Sequence, residues 1–298
     1  MKTEIVNPSS GHTNLLYNIL AFITVAVWGV TFVSTKVLIA HGLTPTWIFI
    51  IRFAIAYLFI LAIDHKRLWS GSLKDELFMV AMGLTGGSLY FISENSALQL
   101  TFASNVSLII CAAPVLTMVL GIIIYKDRIR AKAIIGSVIA LCGVAAVILN
   151  GSLNFGLNPA GDLLTLLAAL FWAAYCLLLK HMNRLYSNTF ITRKVFFYGC
   201  VSALVYSIFE PLPTFPTSEA LVPVVLNLLF LGIIASFICY IMWNNAVKIL
   251  GPEKTANYLY FTPLITIAAS SVILGEPVSL CMIIGGMAII GGVYLTAK

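Results

Sequence analysis

The sequence predicts an all-α integral membrane protein of ten transmembrane helices, arranged as two inverted five-helix repeats with both termini in the cytoplasm. Three observations predict this fold: the composition, the positions of the basic residues and an internal repeat. Of the 298 residues, 60% are hydrophobic and 9% are charged, whereas about a quarter of the residues in an ordinary soluble domain are charged. A water-soluble surface cannot be built from this composition, so we expect a multi-pass membrane protein.

Apolar runs long enough to cross a bilayer recur along the whole chain. A helix needs about 20 apolar residues to cross a hydrocarbon core of about 30 Å. The first run is too long for the core of a signal peptide, so we expect it to be retained as a helix. The ten predicted helices are Leu15 to Ala40, Thr46 to Ile63, Leu77 to Leu100, Asn105 to Tyr125, Ala133 to Leu149, Leu163 to Leu179, Val195 to Phe209, Leu221 to Val247, Ala256 to Leu274 and Val278 to Ala297.

The basic residues predict the orientation of these helices. If the N-terminus is cytoplasmic, all of the 17 lysines and arginines except Lys36 and Arg52 fall in cytoplasmic segments, as the positive-inside bias requires. Lys2 and Lys298 then share one side, so the number of helices must be even. The same bias accounts for the net charge of +6. We therefore expect a protein of the cell inner (plasma) membrane, with the lipid bilayer and not nucleic acid as its partner.

An internal repeat divides the chain into two halves. A shift of 149 residues aligns residues 78–146 with residues 227–295 without a gap, and a shift of 144 aligns the first helix of each half. Because each half has five helices, an odd number, the second half is expected to be inverted in the membrane. The predicted organisation is a cytoplasmic tail (1–14), a first repeat (15–149), an external linker (150–159) and a second repeat (160–298). Matched pairs include Gly83 with Gly232, Asn95 with Asn244, Pro114 with Pro263, Asp127 with Glu276, Gly143 with Gly292, Trp28 with Trp172 and Lys36 with Lys180.

Three stretches of the chain resemble the drug/metabolite transporter superfamily, specifically its EamA-type ten-helix members. They read AVWGVTFVSTK, SALQLTFASNVSLIICAAPVLTMVLGIIIYKDRI and NNAVKILGPEKTANYLYFTPLITIAASSVILGEPVSL. The resemblance implies a secondary transporter without a cofactor, and its members export amino acids, other metabolites or drug-like compounds. One departure is that Lys126-Asp127-Arg128 stands in the first half where the second half has the family-typical Gly275-Glu276-Pro277.

Charged residues inside the predicted spans are candidates for substrate binding. At about 1.5 Å per residue, Arg52 and Glu94 lie roughly 10 and 9 Å inside the outer ends of their helices, and Lys36 is shallower. A charge at such depth usually faces a partner or a wet cavity. In the functional interpretation, Lys36 and Arg52 attract a carboxylate, and Glu94 meets an amine or carries a proton. In the structural interpretation, Arg52 and Glu94 form an ion pair and Lys36 reaches the outer headgroups.

Aromatic and amide side chains complete the predicted substrate site. Residues three or four apart share a helix face, although most such stripes only pack the core. Asn244 and its counterpart Asn95 have an alternative role, an interhelical hydrogen bond. The added substrate-binding candidates are Trp28, Tyr90, Trp172, Tyr175, Asn244 and Asn257.

Prolines and glycines predict where helices bend or approach closely. Pro114 and Pro263 fall near the middle of the fourth and ninth helices, where proline removes a backbone hydrogen bond. We expect both helices to bend there as a gate moves, and the alternative is a static kink. The glycines of the fifth and tenth helices permit close helix approach. They are expected either to pack helices together within the scaffold or to form a homodimer surface.

Other classes of function are disfavoured by the sequence. The four histidines lie in loops or near span ends, there is no HExxH motif and no phosphate-binding GxxxxGK[ST] loop, so neither an intramembrane enzyme nor a nucleotide-driven pump is predicted. The leading prediction is an exporter of a small amphipathic metabolite such as an amino acid. Two alternatives remain open: a cationic-drug exporter that uses Glu94, and an exchanger of nucleotide sugars or phosphate esters.

Overall fold

The computed structural model describes residues 11–126, 131–149, 158–210, 213, 218, 220–276 and 278–297. All regular secondary structure within these ranges is helical. Most of the predicted N-terminal tail, most of the predicted external linker, and Asp127 lie outside the described residues.

Ten helical rods follow one another in the described ranges, and each corresponds to one predicted apolar run. Seven of them are long and apolar enough to cross a membrane, which makes this a multi-pass membrane protein. Membrane crossing by the other three, α5, α7 and α10, stays a prediction. The rods are α1 (Gly11–Ala40), α2 (Pro45–Ile63), α3 (Leu73–Leu100), α4 (Ala103–Tyr125), α5 (Ala131–Leu149), α6 (Pro159–Met182), α7 (Asn188–Ser207), α8 (Leu221–Leu250), α9 (Pro252 to Leu274) and α10 (Leu280–Ala297).

Helix α7 begins at Asn188, earlier than the predicted start at Val195. The prediction was wrong because it treated Arg193 and Lys194 as loop residues. Both side chains are buried, and they form ion pairs with Asp64 and Glu76 respectively. Since these long-range partners neutralise the two cations, the helix continues through them.

Contacts between the rods are symmetric under exchange of the two halves. Helix α1 packs on α8 and α9, and its counterpart α6 packs on α3 and α4. Helix α2 packs on α8, and its counterpart α7 packs on α3. Helix α2 also packs on α7, and α5 packs on α10. Exchange of the two halves leaves each of these two pairs unchanged. The first helix of each half is therefore held by the third and fourth helices of the other half.

Irregular backbone also recurs at matched positions. Helix α3 contains a π-helical segment at Leu84–Ser88, and α8 contains one at Phe230–Ile238. Helix α4 breaks just before Pro114, and α9 passes through a 3₁₀ turn just before Pro263. Each proline lies in the first turn of a new helical piece, where its missing N–H has no intrahelical partner to lose. The predicted interruptions are therefore present, and their role in gating stays a prediction.

Glycines hold α5 against α10 within the chain. A Cβ atom added to Gly143 would lie 2.6 Å from the carbonyl oxygen of Gly285, and one added to Gly292 would collide with the carbonyl oxygen of Gly136. Only glycine permits this approach of the two backbones. The scaffold role predicted for these four glycines is therefore visible, and a homodimer surface on the same helices stays a prediction.

Candidate functional site

A small cavity lies at the centre of the bundle, where helices of both halves meet. Its volume is about 30 Å³, enough for about two water molecules. Aromatic side chains nearly fill the centre in this conformation, so a ligand much larger than water does not fit unless the helices move apart. The lining residues are Trp28, Thr31 and Phe32 of α1, Arg52 of α2, Tyr90, Phe91 and Glu94 of α3, Ile110 and Ala113 of α4, Trp172 of α6, Tyr240 of α8, and Leu259 and Thr262 of α9.

Arg52 places a buried cation on the cavity wall. Its side chain is 2% exposed, and its guanidinium carbon lies 4.4 Å from the centre of the Phe91 ring. The Nε atom donates a hydrogen bond to Ser236 Oγ at 2.9 Å. An arginine has five N–H donors, and this is its one hydrogen bond within the described part of the chain. Most of its hydrogen-bonding capacity is therefore available to a ligand.

Glu94 places a buried carboxyl group on the same wall, next to Tyr90. The residue is 5% exposed, and its carboxyl group interacts with the Tyr90 hydroxyl. Among the described residues, Arg52 and Glu94 form no ion pair within 4.0 Å. The direct ion pair of the structural interpretation is therefore absent from this conformation. The cavity wall therefore carries a guanidinium and a carboxyl group that form no direct ion pair with each other.

Aromatic rings from both halves surround these charges. The Trp28 and Trp172 rings, which match in the repeat, lie 5.3 Å apart. Trp28 also lies 5.0 Å from Trp243, and Trp172 lies 5.1 Å from Tyr90. Such clusters provide apolar area with little loss of side-chain entropy. The wall of the cavity is therefore largely aromatic around Arg52 and Glu94.

The two π-helical segments anchor the aromatic wall. Trp28 Nε1 donates a hydrogen bond to the Ala235 carbonyl at 2.9 Å, and the Tyr240 hydroxyl donates one to the Gly86 carbonyl at 2.6 Å. Isolated π-helical turns are frequent at functional sites. The sequence analysis predicted neither segment. The one sequence feature that indicates an irregular helix here is the adjacent pair Gly86 and Gly87 inside an apolar run.

Five of the nine predicted substrate-binding residues line the cavity, and four do not. The five are Trp28, Arg52, Tyr90, Glu94 and Trp172. Asn257 instead lines a separate cavity beside Lys254. Lys36 is held by contacts near the end of α1, beyond the cavity.

The two remaining predicted residues form a buried hydrogen-bond network behind the cavity wall. Tyr175 donates to Asn244 Oδ1 at 2.8 Å, and Asn244 donates to Thr192 Oγ1 at 2.9 Å. Asn95, the repeat counterpart of Asn244, donates to the Pro45 carbonyl at 3.1 Å. Both asparagines therefore make interhelical hydrogen bonds, as the alternative interpretation of their role predicted.

Two further polar atoms at the cavity have no hydrogen-bond partner among the described residues. They are Nε1 of Trp172 and Oγ1 of Thr262, both buried. Buried polar groups are normally hydrogen-bonded. These two atoms therefore offer hydrogen bonds to water or to a polar ligand, and Thr262 was not among the predicted site residues.

The fold and this site together define a class of protein. Two matched halves interlock around a buried, charged and aromatic cavity that lies within a bundle of membrane-crossing helices. Secondary transporters place their substrate sites between such repeats. The protein is a membrane transporter.

The chain belongs to the EamA-like transporter family, which matches residues 15–149 and again residues 159–298. An "Uncharacterized transporter" of Archaeoglobus fulgidus is 26% identical over 94% of this chain and 96% of its own length. A "Probable amino-acid metabolite efflux pump" of Salmonella typhimurium is 25% identical over 93% of each chain. A solved crystal structure covers 94% of this chain and 96% of its own with a TM-score of 0.71 at 19% identity, which shows a shared fold.

Proposed function

We propose that this protein is a secondary transporter that exports a small zwitterionic metabolite, such as an amino acid, across the cell inner membrane. The observation that carries the proposal is the pair Arg52 and Glu94, opposite charges that line one buried cavity without a direct ion pair. A charge inside the hydrocarbon core costs up to about 3 kcal/mol on insertion scales. Two such charges that do not bind each other are placed to bind a ligand with complementary charges.

Arg52 supplies the carboxylate site in this proposal. A guanidinium can hold a carboxylate through two parallel N–H···O hydrogen bonds. Ser236 and the Phe91 ring fix the orientation of the Arg52 side chain, so binding loses little side-chain entropy. Glu94 accepts hydrogen bonds from the substrate amine, and the Trp28 and Trp172 rings pack on the apolar side chain.

Alternating access between the two repeats moves the substrate. The contacts of the bundle are symmetric under exchange of the halves, which supports two conformations in which the halves exchange roles. The nearly filled cavity matches an occluded state that lies between these two conformations. In this proposal both termini are cytoplasmic and the second repeat is inverted. The name of the Salmonella relative, an efflux pump, supports export as the direction of transport.

The two alternative substrates fit the cavity less well. A cationic drug would be attracted by Glu94 and repelled by Arg52 on the same wall. A nucleotide sugar or phosphate ester would meet a single cation, Arg52, opposed by the charge of Glu94. A zwitterion matches both charges, and this favours the amino-acid proposal.

Substrate-dependent thermal stabilisation and exchange transport test the proposal. Purified protein is screened with amino acids, their decarboxylated amines and their deaminated acids, because a ligand that binds the folded state raises the unfolding temperature. Stabilisation and counterflow in proteoliposomes are expected only with a zwitterion. Arg52→Gln and Glu94→Gln should each abolish both signals, whereas Lys254→Gln, outside the cavity, should retain them. Equal stabilisation by amines alone would instead support the cationic alternative.

A further inference from the structure

Lys36 joins α1 to the turn between α3 and α4. Its ammonium donates a hydrogen bond to the Thr101 carbonyl at 2.8 Å, immediately after the last residue of α3. The same ammonium lies 5.2 Å from the centre of the Phe102 ring. A cation at a helix C-terminus is favoured by the helix dipole. Lys36 is therefore held by groups of its own repeat and does not simply extend to the membrane surface.

Glu276 joins the same place to the other repeat. It lies in the turn between α9 and α10, and its Oε1 atom is 3.2 Å from the Lys36 ammonium. The backbone N–H of Ala103 donates to Oε1 at 3.0 Å, and Ser104 donates to Oε2 through its N–H at 3.3 Å and its hydroxyl at 2.9 Å. The carboxylate thus occupies the N-terminus of α4, where the helix dipole favours an anion.

The charge state of Glu276 suits this arrangement. The Glu276 side chain is 6% exposed. Burial raises its pKa, but the hydrogen bonds from Ala103 and Ser104 and the charge of Lys36 outweigh burial and leave the pKa below its usual value. Glu276 is therefore an anion at neutral pH, and all its partners are donors.

The contact lies beyond the cavity, toward the C-terminal end of α1. Lys36 is four residues beyond Phe32 of the cavity wall, about 6 Å along α1. The charge pattern of the sequence places this end of the bundle outside the cell. Three segments meet here: α1 and the α3–α4 turn of the first repeat, and the α9–α10 turn of the second. Movement of α9 away from α1 and α4 must break every hydrogen bond of Glu276 across the repeats.

We propose that Lys36 and Glu276, with the Ala103 and Ser104 amides, form an outer latch that holds the external side of the substrate pathway closed. The proposal rests on the proposed transport function. Closing the latch blocks access to the cavity from outside, and breaking it precedes release of the substrate. The latch explains why a partly buried lysine and a buried glutamate lie beyond the cavity without lining it.

Accessibility of a cavity cysteine to an impermeant reagent tests the latch without any substrate. Thr31→Cys places the reporter on α1 at the cavity wall, and the same chain without this change supplies the background from native cysteines. Intact cells receive a membrane-impermeant maleimide. Because charge-assisted hydrogen bonds across the closed state are lost, Glu276→Gln should raise the labelling rate by about tenfold. Lys36→Gln, which leaves the Ala103 and Ser104 bonds intact, should raise it less.

Glu210→Gln is the matched control. Glu210 is a carboxylate at the same end of the bundle and accepts a hydrogen bond from Thr46 at 2.8 Å in the first turn of α2, but it makes no contact with the latch residues. Its labelling rate should stay at the reference value. An unchanged rate in both Glu276→Gln and Lys36→Gln, with monodisperse purified protein, would overturn the latch. Increased labelling without amino-acid binding would retain the latch and reject the proposed substrate.

Discussion

The carbonyl oxygens of Gly86 and Ala235 stand at matched positions, 149 residues apart, and each accepts a hydrogen bond from an aromatic side chain of the cavity wall. Tyr240 of the second repeat binds Gly86 of the first, and Trp28 of the first binds Ala235 of the second. Each repeat thus fixes the irregular segment of the other. The cavity therefore depends on both halves at once.

Gly86→Ala should destabilise the protein. A Cβ atom at this position would lie 2.5 Å from Cγ of the Tyr175 ring, and overpacking of this kind costs about 1–3 kcal/mol. The unfolding temperature of the purified protein should fall. Gly291→Ala is the control, because nothing lies within 4 Å of a Cβ atom there, and its unfolding temperature should be unchanged or higher. Equal unfolding temperatures of the two variants would show that the Tyr175 ring moves aside without loss of stability.

Lys126→Gly should stabilise the protein. Lys126 ends α4 with φ of 55°, and its repeat counterpart Gly275 ends α9 with φ of 66°. The left-handed conformation costs a non-glycine residue about 1 kcal/mol or more, so Lys126 is strained where Gly275 is not. Thermal unfolding should show a higher midpoint for Lys126→Gly and a lower one for Gly275→Ala. A lower midpoint for Lys126→Gly would indicate that the lysine side chain contributes more than the strain removes.

Arg52→Gln and Glu94→Gln should not rescue each other. If the two residues bind opposite ends of a substrate, each single change removes one contact, and the double change removes both. Because the two buried side chains interact electrostatically without a direct ion pair, their coupling free energy for unfolding should stay below the roughly 3 kcal/mol that contacting residues can reach. Double-mutant cycles of thermal stability and counterflow transport measure this. Full recovery of transport in the double variant would assign the two charges to packing alone.

Pro114→Ala and Pro263→Ala should reduce the transport rate more than the yield of folded protein. Each proline begins a helical piece after a break, and alanine lets the helix continue across that break. A continuous helix bends less easily as the repeats exchange conformations. Initial rates of counterflow should fall in both variants while chromatographic behaviour stays normal. Unchanged rates in both would assign the breaks to static packing.

The orientation in the membrane can be tested by external labelling of introduced cysteines. Gly42→Cys lies in the turn between α1 and α2, which the positive-inside bias places outside. Ser70→Cys and Ser187→Cys lie in turns that it places inside. An impermeant maleimide added to intact cells should label Gly42→Cys and should label the other two only after permeabilisation. External labelling of Ser70→Cys would reverse the proposed topology.

The sequence by itself determined the helical runs, the repeat and the family. Each predicted run corresponds to a helix because hydrophobic length is a local property of the chain. The breaks at Pro114 and Pro263 were predictable for the same reason, since proline disrupts the helix in which it stands. Arg52 and Glu94 were conspicuous because almost no other charged residue lies inside the predicted spans.

Only the tertiary structure decided which of these side chains share a site. Tyr175 and Asn244 have the same sequence signature as Trp28 and Tyr90, yet they bind each other behind the wall. Lys36 forms its ion pair with Glu276, which lies 240 residues further along the chain. A helical sequence specifies which residues share a face, but the direction of that face depends on how the helices pack. That packing is set by contacts between distant segments, which no local pattern contains.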